Sequence, residues 1–434
     1  MLSLQGGFRI HAGTALHDAM KILKHTLILL AGIVTVACGN HPSGGKYVTP
    51  YVSALLSDTT AYDYKVVSAY DVTAKNGTIA VIGEPEETLL LTEKMMGSDR
   101  FNNISATRRP DGLPDFSGET FAAILDRANA PYDGYFTHAN EDFLSELTVR
   151  NFVAALDTAC FLSSYDKDRL VHKAGAKMVV LSSSLTAACG YWDIDTLCVS
   201  ASRAIPVVSA PQAMLDLAWE RHGEGLNLGV WTTGKSLGAG VWSTVFPRIA
   251  SKHHDAKATY EVFCPDSTVT VRDRFFEFMH MYTAAGNSAR LSALILDDHA
   301  VDADSLRSVV DAVMQVDQDN YITYRNFLAD DFEVIDASGA VSAACYMYLR
   351  ETNRFTHRIA YPEVKLYVTA PSNELPEGAY APDGWLNAGF RYGRPAGESG
   401  STYSLVELKD KHLTQQLREM MIVRTPKIFT DYVR

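Results

Sequence analysis

Two apolar runs in this chain break abruptly into polar clusters, and each is followed by a helix-period pattern. The first is Val179-Val180-Leu181, leading into Ser182-Ser183-Ser184. The second is Leu294-Ile295-Leu296, leading into Asp297-Asp298-His299. Short apolar runs without polar alternation mark strands buried on both faces, and such strands belong to parallel sheets covered by crossover helices. Polar clusters at their carboxyl ends fall where open α/β sheets bind ligands.

Further runs repeat the pattern. Thr78 to Gly83, Tyr132 to Thr137, Ile205 to Val208, Leu226 to Trp231, Thr259 to Phe263 and Phe332 to Ile335 read as strands, and helical stretches separate most of them. Leu237, Val241, Val245 and Ile249 share one helix face. Leu306, Val309, Val310 and Val313 share another, behind the candidate caps Asp304 and Ser305. With the first two runs this makes two groups of four strands. They predict an α/β protein of two flavodoxin-like, doubly wound parallel-sheet lobes in tandem, with the site between them.

The expected divisions are a lipoprotein signal segment over 1–38, a tether over 39–74, a first lobe over 75–223 plus 321–375, a second lobe over 224–320, and a C-terminal extension over 376–434. A long loop from Asp99 to Glu119 is expected to reach over the carboxyl edge and offer Arg108 and Arg109 to an anion. A solvated surface loop is the plainer reading of the same residues.

At the amino terminus Lys21 and Lys24 precede an apolar run from Thr26 to Val36, which ends in Thr35-Val36-Ala37-Cys38. This resembles a bacterial lipoprotein cleavage box with Cys38 as the lipidated residue. The run is shorter than the roughly 20 residues a membrane span needs. The expectation is an exported protein, lipid-anchored to the bacterial cell envelope through Cys38. Cys160, Cys189, Cys198, Cys264 and Cys345 are odd in number and match no metal-site or disulfide spacing, so they read as buried thiols. A Cys189–Cys198 bridge is the alternative in an oxidising compartment. A formal charge of −12 without any basic cluster excludes a nucleic-acid partner.

From about residue 175 to residue 370 a series of motifs resembles the aspartate/glutamate racemase superfamily, in the same order. Gly229-Val230-Trp231-Thr232-Thr233-Gly234-Lys235-Ser236-Leu237 is similar to the glutamate racemase pattern Gly-Val-x-Ala-Thr-x-Gly-Thr-Val, with Trp242 at a family Tyr position. Ser182-Ser183-Ser184 stands for Cys-Asn-Thr, and Ile205-Pro206-Val207-Val208 follows as the next strand. Cys264-Pro265 matches a Cys-Pro pair, and Leu296-Asp297-Asp298-His299 stands for Gly-Cys-Thr-His. Val334-Ile335-Asp336 to Val341 and Val364 to Thr369 match a later strand–helix pair and a closing hairpin. Where the family opens with Asp-Ser-Gly, this chain has Gly83-Glu84-Pro85.

The resemblance implies a cofactor-independent amino-acid racemase, and the departures bear on that activity. Racemisation needs a base on one face of the α-carbon and an acid on the other. The family uses two thiols, whose places here are held by Ser182 and Asp297, and an unassisted hydroxyl is not a usable base near pH 7. The expected function is binding of a small carboxylate or amino acid in the interlobe cleft, with racemase activity lost or altered. Ser182, Asp297 and His299 are the catalytic candidates. Ser183, Ser184, Thr233, Ser236 and Asp298 are the ligand-binding candidates, and helix amino termini beside them would favour an anion.

No cofactor or metal is expected, since Asp297-Asp298-His299 lacks a third ligand cluster. One alternative is an active racemase or isomerase using Asp297 and His299. Ser182, His299 and an Asp also contain the parts of a hydrolytic triad, without a Gly-x-Ser-x-Gly elbow. A further alternative is a type I periplasmic solute-binding lipoprotein, whose serine loop Ser182 to Thr186 resembles. Lobes crossed three times by hinge strands would mark that protein.

Overall fold

The computed structural model of the protein describes residues 48–398 and 400–433. The expected lipoprotein signal segment and Cys38 lie outside the described residues. Twelve strands form two sheets among those described. The first sheet holds β1 (Thr78–Gly83), β2 (Thr120–Leu125), β3 (Ala159–Ser163), β4 (Asp166–His172), β5 (Ala176–Leu181), β6 (Val207–Ser209), β11 (Glu363–Pro371) and β12 (Tyr403–Glu407), in the order β4-β3-β12-β11-β2-β1-β5-β6. The second holds β7 (Asn227–Thr232), β8 (Thr259–Phe263), β9 (Leu291–Asp297) and β10 (Leu328–Asp336), in the order β10-β9-β7-β8.

The two sheets share one winding. In the first, β2-β1-β5-β6 run parallel, so the first strand of the set lies between the second and the third. In the second, β8-β7-β9-β10 repeat that order, also parallel throughout. Each lobe therefore has a switch point where the crossover helices change face, between β1 and β5 and between β7 and β9. The chain passes from the first sheet to the second after β6 and returns after β10. Two crossings rather than three separate this fold from the type I solute-binding arrangement.

Local chemistry explains the strands. β1, β5 and most of β9 are buried along their whole length, as their unbroken apolar sequences require. Ile79, Val81, Met178 and Val180 pack in the main core with the helices Pro85–Met96 and Ala210–His222, and Trp231, Leu294 and Leu296 pack with Phe275 and Phe278 on the other side of the second sheet.

Several expectations are corrected. Tyr132 to Thr137 is not a strand. Asp133–Thr137 is a short helix: Asp133 in its first turn suits a helix amino terminus, and Pro131 just ahead lacks the N–H a strand ladder would use. The strand of that region is β2. The tether does not extend to residue 74: the helices Pro50–Ser57 and Tyr62–Ser68 bury Tyr51, Val52, Leu55 and Val67 against Phe152 and Leu197. The return to the first lobe comes after Asp336 rather than at residue 321, because β10 pairs with β9. The segment beyond residue 375 supplies β12 to the first sheet, antiparallel to β11.

The loop from Asp99 to Glu119 lies at the amino edge of the first sheet, leading into β2. Arg350, at the far end of the helix Ala337–Glu351, donates to the carbonyls of Asn103 and Ile104 at 3.0 and 2.6 Å. Arg108 pairs with Glu220 at 2.6 Å. The helix cap before Leu306 is Asp302, whose carboxylate accepts from the Ser305 amide, rather than Asp304 or Ser305. All five described cysteines are free, so Cys189 and Cys198 are not bridged. Among the described residues no helix is long and apolar enough to cross a membrane.

Candidate functional site

The carboxyl ends of the four switch-point strands meet, and one buried carboxylate hydrogen-bonds across the boundary between them. Asp297 ends β9 and is 4 % exposed. Its Oδ1 accepts from Ser184 Oγ at 2.5 Å, across the lobe boundary. Its Oδ2 accepts from Thr232 Oγ1, at the end of β7, at 2.7 Å and from Trp242 Nε1 at 2.9 Å. Burial pushes the Asp297 carboxyl above the ordinary range, against the three donors and the nearby His299, which favour the ionised form.

The three serines after β5 have separate fates. Ser182 is wholly buried: its hydroxyl donates to the Ile82 carbonyl at 3.1 Å and shares a hydrogen bond with Thr88 Oγ1 at 3.0 Å. Gly83 makes this possible, because a Cβ there would lie 2.2 Å from Ser182 Oγ. Ser183 lies beside Glu87 and favours its ionised form. Ser184 faces the second lobe and meets Asp297. The register accounts for the division, since Val180 and Leu181 pair with Val81 and Ile82 and carry Ser182 against the end of β1.

Two further acids and one base complete the cluster. Glu84 follows β1, is buried, and accepts from the Tyr132 amide at 2.7 Å. Glu87 lies one turn along the same helix, and its Oε2 is buried without a hydrogen-bond partner. Burial raises both carboxyls. Glu84 and Asp297 raise that of Glu87 further, and Lys235 opposes both shifts. Lys235 stands at the mouth, its Nζ 3.8 Å from Glu84 and 3.9 Å from Asp133. Burial works against its charge, but Glu84, Asp133 and Glu87 together raise its pKa. The expected preference for an anion is thus countered by three acids at the same strand ends.

The remaining candidates are tied to neighbours. Thr233 caps the helix Gly234–Gly238, accepting from the Ser236 amide at 3.3 Å, and its hydroxyl donates to Ser236 Oγ at 3.4 Å. Asp298 is paired with the buried Arg274 at 2.8 Å and accepts from the Ala300 amide at 2.9 Å, which shapes the turn after β9. His299 is half-buried beside Asp297. Among the described residues no group of three or more His, Cys, Asp or Glu side chains is arranged to hold a metal ion. Glu84, Glu87, Lys235 and the Trp242 indole belong to the cluster but were absent from the residues expected to form the site. An acid directly after a buried strand and ahead of Pro85 was the available signal for Glu84.

No protein-family model matches this chain, and no curated protein is found to match it. Solved structures similar to it include glutamate racemases. One, from Francisella tularensis subsp. tularensis in complex with D-glutamate, is 16% identical with a TM-score of 0.42, over 70% of this chain and 90% of that one. A Bacillus anthracis isoform is 13% identical with a TM-score of 0.41, over 68% and 90%. The Aquifex pyrophilus enzyme is 13% identical with a TM-score of 0.37, over 73% and 96%.

Proposed function

We propose that the cleft between the two switch points binds a small amino acid or carboxylate and does not carry out two-base racemisation. The observation behind this is the state of the two positions where paired bases would stand. The Ser182 hydroxyl is enclosed and already hydrogen-bonded to Thr88 and Ile82, with no face toward a ligand. Both Asp297 oxygens accept from protein donors. Three of the roughly four acceptor sites of this carboxylate are thus filled by protein donors, which stabilises the ionised form and lowers its basicity.

The ligand class follows from the same side chains. Lys235, 49% exposed at the mouth, offers a cation to a carboxylate. Glu84 and Glu87 offer acceptors to an ammonium group, and Ser183 lies beside them. A zwitterion matches this set better than a dicarboxylate, whose second charge would meet like charges. The exported, lipid-anchored reading rests on the basic start, the apolar run and the Cys38 box, and loss of fatty-acid labelling in Cys38→Ser would support it.

A thermal-shift screen of amino acids and dicarboxylates tests the binding reading. Stabilisation by a zwitterionic amino acid, lost in Lys235→Met and in Ser183→Trp, is the expected result. Absence of stabilisation by every compound, with both variants silent, would overturn it.

A further inference from the structure

After β11 the chain passes the carboxyl edge of the first sheet and packs over it. Tyr392 donates to the Pro131 carbonyl at 3.0 Å, and Asn140 donates to the Tyr392 and Arg394 carbonyls at 2.7 Å. Gly134 admits this contact, since a Cβ there would lie 2.1 Å from the Tyr392 ring. The chain then returns through β12 and ends in the helices Gln415–Arg424 and Pro426–Tyr432. These dock on the helix Pro85–Met96: Met421 and Ile428 are wholly buried, and the Glu93 carboxylate accepts from the Lys427 and Ile428 amides at 3.1 and 3.0 Å.

Arg424 is the last residue of the first of these helices, and its guanidinium touches both lobes. Nη1 donates to Glu86 Oε1 at 3.3 Å in the first lobe. Nη2 donates to the His299 carbonyl at 2.8 Å in the second. The Glu86 arm is largely exposed, so it contributes little. The His299 arm is a charge-assisted bond to a part-buried carbonyl, which is the stronger kind. Within the turn, Asp298 accepts from the Ala300 amide at 2.9 Å, and the Val301 amide donates to the Asp298 carbonyl at 3.1 Å.

We propose that Arg424 is a positioning residue: it ties the turn from Asp298 to Val301, and with it His299, to the first lobe, so that the C-terminal helices set how His299 meets the cleft. Arginine suits this task because its planar fork holds two acceptors in fixed directions from separate nitrogens, whereas a lysine ammonium donates from a single point on a flexible stem. The role is independent of what the cleft binds.

Hydrogen–deuterium exchange on the full chain tests it. Arg424→Met is expected to raise exchange at the Ala300 and Val301 amides on the order of tenfold, leaving the β7 and β9 amides unchanged, as local opening does. Arg424→Lys, which keeps the charge and stem, is expected to fall between wild type and Arg424→Met, and it keeps the test readable if Arg424→Met unfolds. Glu86→Gln is expected to match wild type. The His299 imidazole resonances should move in Arg424→Met and return toward wild type in Arg424→Lys. Unchanged exchange at Ala300 and Val301, or an increase shared equally by both lobes, would overturn the assignment.

Discussion

Asp126 and Asp297 are the same group in the same kind of place, a carboxylate buried at the carboxyl end of a parallel strand. Asp126 follows β2 and has four side-chain donors: Thr369 and Asn129 on Oδ1 at 2.7 and 2.6 Å, Tyr132 and Asn151 on Oδ2 at 2.8 and 2.7 Å. All four belong to the first lobe. Asp297 has three donors, and one of them, Ser184, comes from the other lobe. Burial raises the pKa of both. One carboxylate organises a core; the other joins two bodies. A buried acid at a strand end is therefore not by itself a sign of catalysis, and what distinguishes the two is which elements supply the donors.

The largest expected effect is at Asp126. Asp126→Ala strands four buried donors, and with each unsatisfied group costing about 1–3 kcal/mol it should lower unfolding free energy in urea by at least about 4 kcal/mol. Asp297→Ala should cost less, about 2–3 kcal/mol, because it strands three donors at a boundary that can admit water. Its loss should also loosen the lobes, visible as faster proteolysis between β6 and β7, which Asp126→Ala should not reproduce at matched stability. Ser184→Ala removes only the interlobe arm and should cost about 1–2 kcal/mol. Equal costs for Ser184→Ala and Thr232→Ala, with no change in proteolysis for either, would break the distinction.

The last expected effect has the opposite sign. Burial and the neighbouring acids raise the Glu87 carboxyl above its ordinary 4.5, so the folded state binds this proton more tightly than the unfolded state does. The stability it lends is full below the unfolded pKa and is lost as pH rises through the folded one. Glu87→Gln should therefore match wild type near pH 4 and be more stable above the folded pKa. Asp216, Asp255 and Asp336, held below their usual range, act the other way but are common to both proteins and cancel in the difference. A variant less stable than wild type at pH 8 would contradict the cause given for the Glu87 shift.

Much of the scaffold was legible in the chain. β1 and β8 fall on the expected residues, and β5, β7, β9 and β10 overlap theirs, because their runs are apolar, β-branched or aromatic and end in turn residues. β2 was not read because Thr-Phe-Ala-Ala-Ile-Leu carries two alanines, which favour helix. Tyr132 to Thr137 was misread because aromatic residues serve either state. β3, β4 and β12 lie toward one end of the sheet, where the periodic signal is weak. The site was legible as a place but not as a bond network. Three adjacent serines do not reveal which one crosses the lobe boundary, since strand alternation ends where the helix begins. Trp242 was visible as an aromatic at a family position, and its indole donor to Asp297 could only come from packing.

The proposed function requires that the two strand ends be joined through Asp297 and present no opposed bases. The most direct measurement is α-proton exchange in deuterated water, followed by NMR, for the L and D forms of glutamate and aspartate with the full-length protein. No wash-in of deuterium is expected on either enantiomer, and none in Asp297→Asn. Wash-in on both enantiomers by the wild type, abolished in Asp297→Asn and in Ser182→Ala, would show that these positions act as the two bases and would contradict it.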